Sequence, residues 1–329
     1  MNFIAATFLS LLASGAAQTD TAFTVSPGTR LNLFNFGGRV EVRAWPENQV
    51  RIRAAHTPLT VIEIQRKGPV LQVSSRARQA PARTVDYDIH VPAWLSLNIT
   101  GINNDVSVEG VDGEVLVETV RGGVQVKGGK GLVSLRSLEG GVRVEGARGR
   151  VQASSVNDGV VVLDAHGDVV ANTVNGNILL GRIVSDLVEA SSANGDLIWD
   201  GDFKKSGRYQ FGTHNGDIVV VTSARPNATV SVETFSGDFE SSFPVEVRRT
   251  RGGQGMSFTL GDGSAVVDFE SFQGAIRLLE AGSAEAQRVL QLRERSVEEL
   301  RRRLERRSRE LERQIERQVE RRRSSDDDE

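Results

Sequence analysis

The chain has 329 residues, a net charge of −3 at pH 7 and no cysteine. The near-neutral charge provides no general attraction to nucleic acid or to an anionic membrane surface. The absence of cysteine excludes disulfides, thiolate metal ligands, a cysteine nucleophile and lipid attachment at a cysteine. Because 39% of the residues are apolar but only 5% are aromatic, small and β-branched side chains must fill most of the core.

The N-terminal residues have the features of a secretory signal peptide, which we predict over residues 1–17. Residues 3–13 are mostly apolar, and the small residues that follow them suit a signal peptidase, with cleavage after Ala16 or Ala17. An uncleaved membrane anchor is the alternative, but the apolar stretch is shorter than the ~20 residues that span a bilayer. No later segment reaches that length. We therefore expect an exported protein, periplasmic or extracellular, with no transmembrane segment in the mature chain.

Residues 23–100 alternate apolar and polar side chains, but less regularly than the residues that follow. Six of the eight prolines lie at or before Pro92. Proline cannot donate a hydrogen bond to a strand ladder, so these prolines favour looser edge structure. We predict that residues 23–100 form an N-terminal β cap over the open end of a repeat array.

From residue 101 to residue 281, turns rich in glycine and asparagine recur about every eighteen residues, with weaker turns halfway between them. Each strong turn precedes an apolar pair at alternate positions, as Gly123 precedes Val124 and Val126. Residues two apart share one face of a strand, so each pair should point inward. The fixed period predicts an all-β fold, a parallel β-solenoid with two strands per coil of roughly 18 residues. Beyond residue 180 the connections at 200–208 and 221–229 are longer, and both lie on one side. They form either a binding face or plain surface loops.

The last part of the chain changes to a helical pattern. Ser283 is a suitable N-cap, and residues 284–323 contain fourteen Arg, nine Glu and neither Gly nor Pro. These residues predict a charged C-terminal α-helix, followed by an acidic tail over 324–329. A thin apolar stripe on this helix is compatible with a solvated helix or with a coiled coil, and the latter would permit a homo-oligomer through residues 284–323. Nucleic-acid binding is not expected, because the Arg residues are interleaved with Glu.

The segment from Tyr87 to Leu95, with its Val91-Pro92 step, leads into turns such as Gly195-Asp196-Leu197 and Gly216-Asp217-Ile218. In this respect the chain resembles the bacterial putative-adhesin domain family of unknown function, a family of parallel β-solenoids. The resemblance covers roughly residues 30–280, and the Arg/Glu helix is not part of the family pattern. It implies surface binding, and it supplies no catalytic residues.

Two rows of residues are candidate contact sites. Val161, Leu179, Ile198 and Val219 should form an apolar stripe on the outer face of four successive coils. A stripe of this kind should be covered, either by the N-terminal strands or the C-terminal helix, or by another protein molecule. Lys130, Arg148 and His166 should form a short basic edge, which could contact an anionic glycan or simply face solvent.

Metal and cofactor sites are not expected. Repeats that bind calcium need an acidic residue in successive turns, whereas four consecutive turns here have Gly123, Gly141, Gly159 and Asn177 at that position. We therefore expect an exported, non-catalytic binding or scaffolding protein of the cell envelope, adhesin-like, with a protein or a glycan as its partner. The alternatives are a polysaccharide-processing β-helix enzyme and an oligomeric structural stalk built through the helix.

Overall fold

The computed structural model describes residues 17–77, 84–249, 255–292, 294–295, 297–298, 302 and 306. These residues form an all-β structure whose strands pair mostly in parallel, followed by one helix. The all-β class, the predominance of parallel pairing and the C-terminal helix are therefore confirmed. The segment assigned to a signal peptide lies outside the described residues except for Ala17, which begins the first strand.

The N-terminal part of the chain contains seven strands. They are β1 (Ala17–Thr24), β2 (Arg30–Trp45), β3 (Gln49–His56), β4 (Thr60–Lys67), β5 (Val70–Ala77), β6 (Asp86–Pro92) and β7 (Ser96–Glu109). The pairs β1–β3, β3–β6 and β4–β5 are antiparallel. In contrast, β2 pairs in parallel with β5, β6 and β7. Parallel stacking thus begins before residue 101, because β2 and β7 already belong to it.

The central part of the chain contains fourteen shorter strands. They are β8 (Val115–Arg121), β9 (Val124–Lys127), β10 (Val133–Glu139), β11 (Val142–Glu145), β12 (Val151–Ser155), β13 (Val160–Leu163), β14 (Val169–Asn175), β15 (Ile178–Ile183), β16 (Leu187–Asn194), β17 (Leu197–Gly201), β18 (Arg208–Asn215), β19 (Ile218–Thr222), β20 (Ala228–Ser236) and β21 (Phe239–Ser241). From β8 to β17 each strand pairs in parallel with the strand two places further along the chain. We call the even-numbered series ladder I and the odd-numbered series ladder II. Both ladders start from β2 and β7, whose first halves belong to ladder I and whose second halves belong to ladder II.

The C-terminal end of the stack departs from chain order. Four strands follow: β22 (Arg248–Arg249), β23 (Gly255–Leu260), β24 (Ala265–Gln273) and β25 (Ile276–Glu280). In ladder I, β24 lies between β18 and β20, and in ladder II, β25 lies between β19 and β21. The antiparallel strand β23 pairs with the other edge of β20. The last two levels of the stack are therefore exchanged relative to chain order.

The core consists of the inward-facing residues of both ladders. Val124, Val142 and Val160 occupy equivalent places on successive levels and are fully buried, as the alternating pattern predicts. Towards the C-terminal end, larger side chains replace the valines, and Trp199 packs against Phe211 with ring centroids 5.7 Å apart. The interior is thus filled mostly by aliphatic residues, and most of its buried aromatic residues lie towards the C-terminal end.

Stacked turns connect ladder I to ladder II. A Cβ on Gly140 would overlap the carbonyl oxygen of Gly122, and a Cβ on Gly195 would overlap that of Gly176. Buried hydroxyl groups bind the carbonyl oxygens of these turns. Ser137 Oγ donates to the Gly122 oxygen at 2.9 Å, and Ser155 Oγ donates to the Gly140 oxygen at 3.0 Å. The glycines therefore allow successive turns to approach closely, and the hydroxyl groups satisfy carbonyl groups that would otherwise be buried without a partner.

The C-terminal helix, α1, is described over residues 284–292 and at 294, 295, 297, 298, 302 and 306. Ser283 caps it, because its Oγ accepts a hydrogen bond from the Ala286 backbone nitrogen at 3.1 Å. The rest of the segment predicted to be helical, to residue 323, and the acidic tail over 324–329 lie outside the described residues. Within the part of the chain that the structure describes, no helix is both long enough and apolar enough to cross a membrane.

Candidate binding face

The predicted apolar stripe exists as a row but is covered within the chain. Val161, Leu179, Ile198 and Val219 are lateral neighbours on β13, β15, β17 and β19, on the outer side of ladder II. Val161, Leu179 and Val219 are nevertheless buried, at 2%, 4% and 6% exposure. They are therefore not open to a partner in this structure, and the reason is the position of α1.

Helix α1 lies along this stripe. Its residues Ala286 and Val289 pack in one cluster with Val219, and further along the helix Val297 packs with Val161 and Leu179. Of the alternatives set out for the stripe, the structure shows cover by the C-terminal helix. Contact of the same four residues with a second molecule would require α1 to leave.

The three residues of the predicted basic edge also form a row. The backbone nitrogen of Arg148 donates to the Gly129 oxygen, beside Lys130, and Arg148 pairs laterally with His166. All three side chains are exposed. Lys130 Nζ lies 2.7 Å from Asp112 Oδ2, so its charge is compensated by the preceding level. Binding of an anionic glycan at this edge stays a prediction.

The acidic and amide side chains of the turns hold backbone groups of the neighbouring level. The Gly123 nitrogen donates to Asp105 Oδ1 at 2.8 Å, and the Asp217 nitrogen donates to Asp196 Oδ1 at 3.0 Å. In the described residues no three His, Asp or Glu side chains are placed to hold a metal ion. These turn residues therefore have a structural task, which is to fix each turn on the one before it.

A cavity of about 330 Å³ lies beside the N-terminal antiparallel strands. Asp20 lines this cavity, and Arg51, which lies outside the cavity lining, donates to both carboxylate oxygens of Asp20, at 2.9 and 2.6 Å. The hydrogen bond from Arg51 lowers the pKa of Asp20 below its usual value. Arg53 pairs with Asp88 at 2.7 Å in the same cavity. This paired arrangement stabilises the contact between strands.

The outer face of ladder I differs from that of ladder II because no described element covers it. Its edge nearest the stacked turns carries one residue per level in lateral register, which we call the apolar column. In stacking order the column consists of Phe36, Ile102, Val120, Leu138, Val156, Val174, Ala193, His214, Phe272 and Phe235. It runs the whole length of the stack and includes nine apolar residues among its ten members.

This face also concentrates exposed hydrophobic side chains. Ten large hydrophobic residues are exposed in the described part of the chain, and seven of them lie on the outer face of ladder I. These seven are Phe34, Val120, Val174, Leu187, Phe235, Val266 and Phe272. Single exposed hydrophobic residues are normal on protein surfaces, but a contiguous set marks a contact site.

The C-terminal end of the column is an exposed aromatic stack. The rings of His214 and Phe272 are 4.6 Å apart and inclined by 9°, and those of Phe272 and Phe235 are 4.8 Å apart and inclined by 3°. Phe235 is 63% exposed. The strand spacing imposes this separation, since lateral neighbours in a sheet lie ~4.8 Å apart. The result is a flat aromatic surface open to solvent.

A row of asparagines runs beside the apolar column. Asn175 donates to Asn157 Oδ1 at 3.0 Å, Asn194 donates to Asn175 Oδ1 at 2.9 Å, and Asn215 donates to Asn194 Oδ1 at 2.8 Å. Each amide is fixed by its neighbours, so this edge of the face is rigid. A rigid apolar surface loses little conformational entropy when it binds.

The apolar column was not predicted, although the sequence contains a signal for it. Ile102, Val120, Leu138, Val156 and Val174 follow one another at intervals of eighteen residues. Each stands two places before the glycine or equivalent turn residue. The strands in fact continue up to the turn, so these residues face outward at a strand end.

No family model matches the chain, and no curated protein matches it. Two solved structures are similar to it in part. One is a "putative cell adhesion protein" from Clostridium sporogenes, with 11% identity, 80% of this chain and 99% of that chain covered, and a TM-score of 0.22. The other is a "putative adhesin" from Bacteroides fragilis, with 14% identity, 81% and 98% covered, and a TM-score of 0.42. TM-scores this low do not support an argument from either structure to this chain.

Proposed function

We propose that this protein is an exported, non-catalytic, adhesin-like binding protein of the cell envelope, and that it binds through the outer face of ladder I. The observation that carries the proposal is the outward-facing apolar column, in which Val120, Val174, Phe272 and Phe235 are exposed, on a face that no described element covers. Under the same proposal, the two ladders are the opposite faces of a parallel β-solenoid.

The contrast between the two ladders supports a binding role. Parallel sheets are normally covered on both faces, because both carry apolar residues. In ladder II the chain supplies this cover itself through α1, with Val289 and Val297 packed on the sheet. Ladder I has no such cover among the described residues, so its apolar column is available to a partner.

The enzyme alternative has less support. Polysaccharide hydrolysis uses a pair of carboxyl groups, one of which acts as an acid because its pKa is raised. Asp20 and Asp262 both have a lowered pKa, which is the opposite of what an acid catalyst needs. A lowered pKa suits an ion pair or a turn, which is where these two residues lie.

The stalk alternative assigns oligomerisation to residues 284–323. The described part of α1 uses Ala286, Val289 and Val297 to cover ladder II of its own chain. These apolar residues are therefore occupied, which weakens the case for a coiled coil through the same face of the helix.

The test is capture of envelope components by the immobilised mature protein, with Val174→Lys and Phe272→Ser as face variants. The control is Val184→Lys, because Val184 is 40% exposed, close to the 44% of Val174, but lies at a weak turn away from the face. We expect both face variants to lose captured material and the control to keep it. Equal capture by all three variants would disprove the proposal.

A further inference from the structure

We infer that the partner of the ladder I face is a second copy of this chain, packed face to face with the two stacks running in opposite directions. The inference rests on the proposed function, since it names the partner of the same face. It differs from association through residues 284–323, because α1 lies on the opposite side of the stack.

The area of the face suits a dimer. Ten strands form it, in the order β2, β7, β8, β10, β12, β14, β16, β18, β24 and β20. At ~4.8 Å per strand the face is about 43 Å long, and four outward residues per strand make it about 20 Å wide. The resulting area of about 900 Å² per copy is close to the ~800 Å² per partner of a stable interface.

The apolar column favours a two-fold axis parallel to the strands. Such an axis reverses the stacking direction but keeps the strand direction, so each column of outward residues meets the same column of the other copy. The axis then falls between β12 and β14, and Val156 of one copy faces Val174 of the other. Apolar residues meet apolar residues at every level of the column except where Val120 meets His214.

The opposite edge of the face is complementary in charge under the same rotation. Outward residues at the start of the ladder I strands form one column, which includes Glu114 and Leu132 beside β8 and β10, and Leu187 and Arg208 on β16 and β18. Rotation brings Glu114 opposite Arg208 and Leu132 opposite Leu187. Within one chain Glu114 and Arg208 are five levels apart, about 24 Å, so they cannot touch each other.

The experiment is light scattering on the mature full-length protein over a concentration series, combined with charge reversal. We expect a dimer that Val174→Lys dissociates and that Val184→Lys leaves intact. Glu114→Arg and Arg208→Glu should each weaken the dimer about tenfold, and the double variant should recover most of this loss. Arg30 also binds Glu114, at 3.0 Å, but Arg208→Glu cannot repair that contact, so recovery reports on the contact between copies.

The orientation of the two copies can be measured with spin labels, because the chain has no cysteine of its own. A label at Asn157→Cys, near the axis, should lie within about 20 Å of its counterpart. A label at Ser236→Cys, on the last level, should lie about 45 Å from its counterpart. Equal distances at both positions would mean parallel copies and would overturn the inference.

The other outcomes separate the inference from the proposed function. A protein that stays monomeric, while Val174→Lys still abolishes capture of envelope material, overturns the inference and leaves the proposed function standing. A monomer whose capture does not depend on the face overturns both. A dimer that survives Val174→Lys but is lost on removal of residues 284–329 overturns the inference in favour of the helix.

Discussion

Gly140 stacks on Gly122 so closely that a Cβ on Gly140 would overlap the Gly122 carbonyl oxygen. Gly140 does not have a left-handed φ, so the close approach of the two turns is itself the reason for glycine. We predict that Gly140→Ala lowers the free energy of unfolding by about 1–3 kcal/mol, because the turns must separate. Urea denaturation measures this change. Gly131→Ala is the control, since its Cβ would meet nothing nearer than 3.6 Å, and equal losses in both variants would contradict the explanation.

The buried hydroxyl groups below the turns should contribute measurably to stability. Ser137→Ala removes the donor to the Gly122 oxygen and leaves that carbonyl group without its side-chain partner. We expect a loss of about 1–2 kcal/mol in the free energy of unfolding. Ser134→Ala, on the same strand but facing outward, should change stability by less than about 0.5 kcal/mol. If both substitutions lower the free energy of unfolding equally, the buried hydroxyl groups do not stabilise the turns.

Helix α1 should be held to ladder II by its buried apolar side chains. Val289 is 8% exposed, whereas Leu292 on the same helix is 57% exposed. Val289→Lys should therefore release the helix and expose the stripe from Val161 to Val219, and Leu292→Lys should not. Release of the helix should increase the binding of a hydrophobic dye. It should also accelerate hydrogen exchange of the amides in β13 and β15. Unchanged dye binding in Val289→Lys would show that the helix is held in another way.

The first strand should loosen in acid. The pKa of Asp20 is lowered by its hydrogen bond from Arg51, so the pair stabilises β1 above the unfolded-state pKa of 3.8 and loses this effect as pH falls through the folded-state pKa. Both side chains are about two-fifths exposed, so salt should weaken the effect. The carboxyl titration of Asp20, followed by NMR, should have its midpoint below 3.8 and move towards 3.8 in Arg51→Gln. An identical midpoint in both proteins would exclude this ion pair as the cause.

The regular part of the structure could be predicted from sequence because its interactions repeat. Val124, Val142 and Val160 are eighteen residues apart and occupy equivalent buried places, since the strand period of two and the turn spacing both appear in the sequence. The start of the helix after Ser283 could be predicted for a similar reason, because capping is local. The apolar column could have been predicted from the same eighteen-residue period, but its residues stand directly before the turns, and attention to the turns obscured them.

Other features depend on contacts between distant segments and could not be predicted. The cover of Val161 and Leu179 by Val297 joins residues more than a hundred positions apart, and nothing local distinguishes it from cover by a partner. The insertion of β24 between β18 and β20 likewise depends on which strand edge is free when the chain re-enters ladder I after β23. A sequence period shows that levels stack, but it does not fix their order where the period becomes irregular.

The exchanged order of the last two levels determines when each level can form during synthesis of the chain. The chain up to Thr222 can add levels one after another as it emerges from a ribosome or a translocation channel, because each new level finds its neighbour already made. β20 and β21 cannot join the stack as soon as they are made, because their neighbours β24 and β25 are synthesised later. A premature stop between Ser241 and Ala265 would therefore leave β20 and β21 without their neighbours and the growing end of the stack open to other nascent chains.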